Sequence, residues 1–358
     1  MKNQYSGRPR SIGVILLQLG GPERLEAVAP FLKNLFSDPD IIPVPGGPAV
    51  QKPLAWLIST VRAPRVRRLY AQIGGGSPLR CWTEVQARNL EAELTRRAAS
   101  RLGPRAPSVR VAVAMRYWHP FTEEALAAVS GAEALLAVSL FPHYSIATTG
   151  SSLKELARLR AANGDERPFA VLEHWYDAPS YLEALVARIR TAVDRLTPEG
   201  RAGGLILWSA HGLPQKIIDR GDPYVTHIEA TVAGTMARLA DLGLPHRLAY
   251  QSRTGPIKWI GPATEEVIRE EATHGRRALV VVPVSFVSDH IETLYEIDLL
   301  YGDEARRLGI QEYVRMDSFN EAADLTGVLA GLVEERLAAV GWMDAGAGMD
   351  AGAHAEAR

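Results

Sequence analysis

Two stretches of this sequence hold side chains able to do proton-transfer or metal chemistry. In the first, an apolar run from Leu279 to Val284 leads into Ser285-Phe286-Val287-Ser288-Asp289-His290, and carboxylates follow at Glu292 and Glu296. Asp289, Glu292 and Glu296 are spaced three and four apart, so on a helix they form one stripe with His290 beside it. In the second, His211 follows Leu205-Ile206-Leu207-Trp208 and precedes Gly212-Leu213-Pro214. An imidazole with an ordinary pKa of ~6.5 suits a proton acceptor or a metal ligand near neutrality. The mix of nitrogen and oxygen donors suits a divalent first-row metal, whereas a closed structural zinc site favours cysteine. Each stretch also has a plainer reading. The stripe would serve as an acidic first turn complementing the helix dipole, and His211 as a cap on the next helix.

The elements that must position these groups read as strand and helix in alternation. β-Branched runs mark strands at Gly13–Leu19, Val109–Arg116, Ala134–Phe141, Phe169–Trp175, Gly204–Ser209, His246–Gln251, Ala278–Ser285 and Gln311–Arg315, with helical stretches such as Trp82–Arg101, Pro179–Leu196 and Tyr224–Leu242 between them. Such alternation implies parallel sheets with right-handed crossovers. The strands divide into two sets whose ends look alike, so the expected architecture is α/β with two similar flavodoxin- or Rossmann-like domains, each a four-stranded parallel sheet flanked by helices. One continuous sheet is the alternative. The expected boundaries are 8–176 and 177–319, a final helix within 320–342 crossing back onto the first domain, and a disordered tail over 343–358. His211 and the acidic stripe then fall at the carboxyl ends of strands, where open α/β sheets bind ligands, in a cleft between the domains.

At 358 residues the chain is long enough for both domains, and 40 Lys and Arg against 41 Asp and Glu point to no nucleic-acid partner. Cys81 is the sole cysteine, which excludes an intrachain disulfide and any four-cysteine cluster from one chain. The basic start lacks an apolar signal core, and no apolar run is long enough to span a bilayer. The expected setting is cytoplasmic, as a monomer or homodimer. Residues Asp38 to Arg68 break the alternation: apolar, rich in Pro and Gly, and too irregular for a core element. They read as an apolar lip over a greasy ligand, able also to touch the inner membrane face peripherally, or as a helix-containing connection. Gly74-Gly75-Gly76-Ser77-Pro78 lacks the Lys-Ser/Thr of a phosphate loop. Tyr117, Trp118, Tyr144, Trp175, Trp259 and Phe286 cluster near strand ends and suit a flat apolar ligand, whose carboxylates Arg62, Arg116, Tyr70 and Ser77 would hold.

Taken together, several motifs resemble the ferrochelatase family. They are Ser209-Ala210-His211-Gly212-Leu213-Pro214 followed by Arg220-Gly221-Asp222-Pro223-Tyr224, Leu19-Gly20-Gly21-Pro22, Ile73 to Leu79, Met115-Arg116-Tyr117, Tyr250-Gln251-Ser252 with Gly255-Pro256 and Trp259, and Ser288 to Asp298. The resemblance runs from about Ile12 to Val340 and implies two Rossmann-like domains of the chelatase type that insert ferrous iron into a porphyrin, releasing two protons. It implies that His211 and Glu292 are catalytic, that His211, Glu292, His290, Asp289 and Glu296 handle the metal, and that Arg62, Tyr70, Ser77, Arg116, Tyr117, Tyr144 and Trp259 bind the porphyrin. Fe2+ is then a substrate, with no prosthetic group and, given the lone Cys81, no iron–sulfur cluster. Protoporphyrin IX is the favoured substrate. Coproporphyrin III, another tetrapyrrole chelatase reaction and a non-catalytic haem carrier are the alternatives. Gln18, Leu19 and His143 depart from residues common in the family. His211 is expected on one face of the macrocycle and Glu292 across the cleft. An ideal helix would aim His290 and Glu292 roughly 200° apart, so both reach one site only if the helix begins there or widens into a π turn.

Overall fold

The computed structural model describes residues 8–39, 41, 47–253, 255 and 257–344. Its strands are β1 (Ser11–Gln18), β2 (Ser108–Met115), β3 (Ala134–Ser139), β4 (Phe169–Leu172), β5 (Gly204–His211), β6 (His246–Gln251), β7 (Ala278–Pro283) and β8 (Glu312–Arg315). They form two parallel four-stranded sheets, ordered β2-β1-β3-β4 and β6-β5-β7-β8. The two halves repeat in detail: an isolated parallel bridge follows the second strand of each, Met115 with Phe121 and Tyr250 with Ala263. The chain therefore comprises two α/β domains, each a parallel sheet flanked by helices.

The central strands are apolar on both faces because both faces are covered. Along β1, Leu16 joins a core shared with Val138, Trp208 and Val282, whereas Ile15 and Leu17 join a separate cluster with Leu135 and Ala137. The second sheet repeats the pattern, with Leu205, Leu207 and Val281 on its outer face. Helices Pro179–Val193 and Ala323–Ala339 fill the shared core between the sheets. The last helix is held to helix Leu79–Leu102 by Glu334, which is 8% exposed and pairs with Arg97 at 3.2 Å and with Arg101. Met343 is buried and Asp344 pairs with Arg8, so the ordered chain extends past the point where the tail was expected to begin. The rest of that tail, 345–358, lies outside the described residues.

The irregular reading of Asp38 to Arg68 is corrected by the structure. Pro48–Ala71 is a single helix with Pro at its start and Pro53 and Pro64 inside it. Ala55, Ala63 and Tyr70 line one buried face against Val28, Phe31, Leu32 and Phe36, and this packing outweighs the backbone hydrogen bonds lost at the prolines. The opposite face exposes Val50, Trp56, Leu57 and Val61. Residues 40 and 42–46 of the expected lip lie outside the described residues.

Candidate active site

The site begins where β5 and β7 end. His211 closes β5 and keeps 35% of its side chain exposed. Its Nδ1 lies 2.7 Å from Glu292 Oε2, so the imidazole donates there and leaves Nε2 free to accept a proton. Glu292 opens a π-helix, Glu292–Tyr301, and its side chain is only 15% exposed. His290 stands just ahead of the helix rather than on it, which lets it face the same site as Glu292: His290 Nε2 is 3.9 Å from Glu292 Oε1. His290 is buried under Phe286, with ring centroids 4.2 Å apart, and its Nδ1 donates to Ser288 O at 3.1 Å.

Behind Glu292 lies a second carboxylate. Ser252 holds its hydroxyl 2.9 Å from Glu292 Oε2 and 2.5 Å from Glu296 Oε2, and its single proton goes to Glu292 when the Glu296 carboxyl is protonated and donates to the serine oxygen. Its backbone is in the left-handed region, φ 64°, a conformation costly for serine and held here by the turn that follows β6. Burial and the neighbouring Glu292 push the Glu296 carboxyl up to about 7, so it exchanges a proton near neutrality. Burial disfavours the charged forms of His211 and Glu292, but their ion pair prevails: His211 is raised and Glu292 lowered. His290 is lowered because burial outweighs Glu292. The result is a continuous line of exchangeable protons, His211 to Glu292 to Ser252 to Glu296.

Residues 11–337 match the ferrochelatase family model. The sequence is 45% identical over 324 residues to the ferrochelatase of Geotalea daltonii, covering 90% of this chain and 96% of that protein. It is 46% identical over 330 residues to that of Geotalea uraniireducens, covering 91% and 98%. The chain belongs to the ferrochelatase family. It is a lyase of haem and porphyrin biosynthesis that inserts metal into a tetrapyrrole.

Within this ferrochelatase the residues read from sequence have different fates. His211, His290, Glu292 and Glu296 come together. Instead of lying across a macrocycle from His211, Glu292 is hydrogen-bonded to it, because the π turn carries the carboxylate back over the end of β5. Asp289 turns away: its Oδ1 accepts from Arg315 at 3.0 Å and Ser318 at 2.7 Å, and its Oδ2 accepts from Asn320 at 2.9 Å. A half-buried Arg315 needs carboxylate partners, and Asp289 and Asp298 supply them. Among the described residues no three His, Cys, Asp or Glu side chains are grouped to hold a metal ion.

Of the substrate-binding candidates, Arg116 and Tyr117 are engaged internally, each donating to Asp38 Oδ2 at 2.8 Å. Tyr70 is buried in the apolar cluster that Ile291 joins, and burial together with Glu292 raises its pKa. Ser77 is buried and accepts from Leu79 N at 3.3 Å. Arg62 is exposed, with its guanidinium 5.5 Å from the centre of the Phe36 ring. Tyr144 is half-buried, and its backbone N–H donates to His227 Nδ1 at 3.2 Å. Trp259 bridges Pro214, and its buried indole N–H has no partner among the described residues. Gln18, Leu19, Leu140, Phe141, Phe286, Val287, Ser288 and His290 line a crevice between the ends of β1, β3 and β7 with room for little more than one water, so admitting a macrocycle requires these walls to part. Ser252, Ser285 and Tyr224 belong to the site but were not singled out as site residues. Ser252 and Ser285 stand just beyond strand ends, and Ser252 and Tyr224 fall inside the motifs that carry the family resemblance.

Proposed function

We propose that this ferrochelatase inserts Fe2+ into protoporphyrin IX, with His211 as the acceptor of the pyrrole protons. Two Rossmann-like domains of the chelatase type would hold the macrocycle between the carboxyl ends of their sheets. The observation that carries this reading is the 2.7 Å bond from His211 Nδ1 to Glu292, which frees Nε2 to act as a base at the exposed end of a strand. Each N–H bond of the porphyrin breaks as its nitrogen turns its electron pair to Fe2+. The proton passes to Nε2, the Nδ1 proton moves through Glu292 and Ser252 to Glu296 in its ionised form, and Glu296, at about 7, releases it to water before the second proton follows. His290 stands beside Glu292 at the same wall, and both are positioned to meet the arriving metal. Trp259, Tyr144 and Arg62 offer aromatic and cationic contacts at the rim.

Helix Pro48–Ala71 supports a peripheral role at an anionic membrane face on the cytoplasmic side. It presents Val50, Trp56, Leu57 and Val61 together with Lys52, Arg62, Arg65 and Arg68. No described helix is long and apolar enough to cross a membrane. The test is anaerobic iron insertion by the wild type and His211→Ala into protoporphyrin IX and coproporphyrin III. The reading expects a preference for protoporphyrin and a loss of roughly 10²-fold or more in the variant, within the range of general-base catalysis. Near-normal turnover by His211→Ala would reject His211 as the acceptor, and faster insertion into coproporphyrin would reject the substrate assignment.

A further inference from the structure

The segment Arg220-Gly221-Asp222-Pro223-Tyr224 has no part in the chemistry above, yet Asp222 and Tyr224 are both buried beside it. Ladder bonding between β5 and β7 ends with Val284 N–H donating to Ser209 O at 3.2 Å. In a parallel pair the next residue of β5 facing the same neighbour is His211. Its N–H finds no strand carbonyl and donates to Ser285 Oγ at 3.0 Å. The Ser285 hydroxyl lies 2.6 Å from Tyr224 Oη, and Tyr224 Oη donates to His211 O at 3.1 Å. Every proton in this set has one assignment. His211 N–H goes to Ser285, Ser285 O–H to Tyr224, and Tyr224 O–H back to the His211 carbonyl.

We propose that Tyr224 and Ser285 are positioning residues for metal insertion: they close a hydrogen-bonded ring on the backbone of His211 beyond the end of its strand and so fix where the imidazole stands. This rests on His211 being the proton acceptor. The ring is tied to the other domain. Asp222 Oδ1 accepts from Tyr224 N at 3.0 Å, while Oδ2 accepts from Ser145 Oγ at 2.9 Å and Ile146 N at 2.7 Å, both on the loop after β3. The same five-residue segment thus joins the wall that holds Tyr144 to the backbone of His211.

The experiment measures anaerobic Fe2+ insertion into protoporphyrin IX by the full chain carrying Tyr224→Phe, Ser285→Ala, Ser285→Thr, or the first two together. Displacing a reacting group by an ångström costs about 100-fold, so Tyr224→Phe and Ser285→Ala are each expected to lower kcat by about 10- to 100-fold while the porphyrin KM moves less than about threefold. Ser285→Thr keeps the hydroxyl and is expected to keep kcat within about threefold. The double variant is expected to be no slower than the worse single by more than about threefold, because one ring breaks only once. Should Tyr224→Phe fail to fold, Ser285→Ala against Ser285→Thr carries the same test. Wild-type kcat in Tyr224→Phe or Ser285→Ala, beside an inactive His211→Ala, would overturn the brace alone. An active His211→Ala would overturn the acceptor assignment and the brace with it.

Discussion

Replacing Glu292 by Gln should move the pH dependence of insertion as well as slow it. Glu292 Oε2 is 2.7 Å from His211 Nδ1, and a Gln oxygen in its place still accepts that hydrogen bond while removing the charge. A hydrogen bond to a charged group is worth about 1.5–3 kcal/mol, and a neutral one about 0.5–1.5 kcal/mol. That difference weakens the contact by about 1–1.5 kcal/mol. Glu292 acts against burial to hold His211 above its ordinary value, so the variant lowers the His211 pKa. The sign follows from the chemistry. His211 accepts a proton only when neutral, so kcat/KM climbs with pH through the His211 pKa, and in Glu292→Gln the climb begins at lower pH. The plateau falls as well, by up to roughly 10²-fold, because the acceptor is a weaker base and the onward path of the proton is cut. Anaerobic initial rates across the neutral pH range, with His211→Ala as the reference without the acceptor, measure both effects. An acid limb that stays where it is in the wild type, or moves to higher pH, would refute the pairing of Glu292 with the acceptor.

Three further outcomes follow from the same geometry. Ser252→Gly suits φ 64° better than serine does, so its melting temperature should hold, while insertion slows by about tenfold for want of the hydroxyl linking Glu292 to Glu296. Unchanged insertion would show that protons leave by another route. Burial and His174 depress His227 to about 4, so its neutral form stabilises the fold fully above ~6.5, and that contribution, about 3 kcal/mol, is lost as pH falls towards 4. Urea unfolding followed from about pH 7 to about pH 4.5 should be less pH-dependent in His227→Gln. An equal dependence in both proteins would contradict the assignment. Glu334→Gln leaves Arg97 and Arg101 facing a neutral group, a cost of about 2 kcal/mol once their partial exposure is allowed for. Calorimetry should show a lower melting temperature with kcat unchanged, and a changed kcat would place the last helix in the catalytic cycle.

The layout of the fold was legible because a strand buried on both faces needs a nearly unbroken apolar run, and few other structures do. Residues 246–251 were delimited to the residue, and the remaining strands to within three residues at each end. The meeting of His290 and Glu292 was legible too, since both cannot face one site on a regular helix, and the helix begins only after His290. Misreadings came where a local pattern met a tertiary demand. Pro48–Ala71 looked irregular because proline propensity is local, whereas the burial of Ala55, Ala63 and Tyr70 that stabilises the helix is not. Nothing nearby in sequence reveals that Arg116 and Tyr117 both donate to Asp38, far upstream.

From sequence alone came the kinds of donor and the strand ends that carry them: an imidazole after β5, and carboxylates with a second imidazole after β7. Those follow from short-range rules, the two-residue period of a strand and the side-chain spacing of a helix. Tertiary structure decided which of these groups touch. It turned Asp289 to Arg315, brought Glu292 onto His211, and set Ser252 between two carboxylates. The physical reason is that a hydrogen bond 2.7 Å long depends on the pairing of β5 with β7 in one sheet and on the path of the loop beyond β7, and no stretch of chain near either partner carries that information.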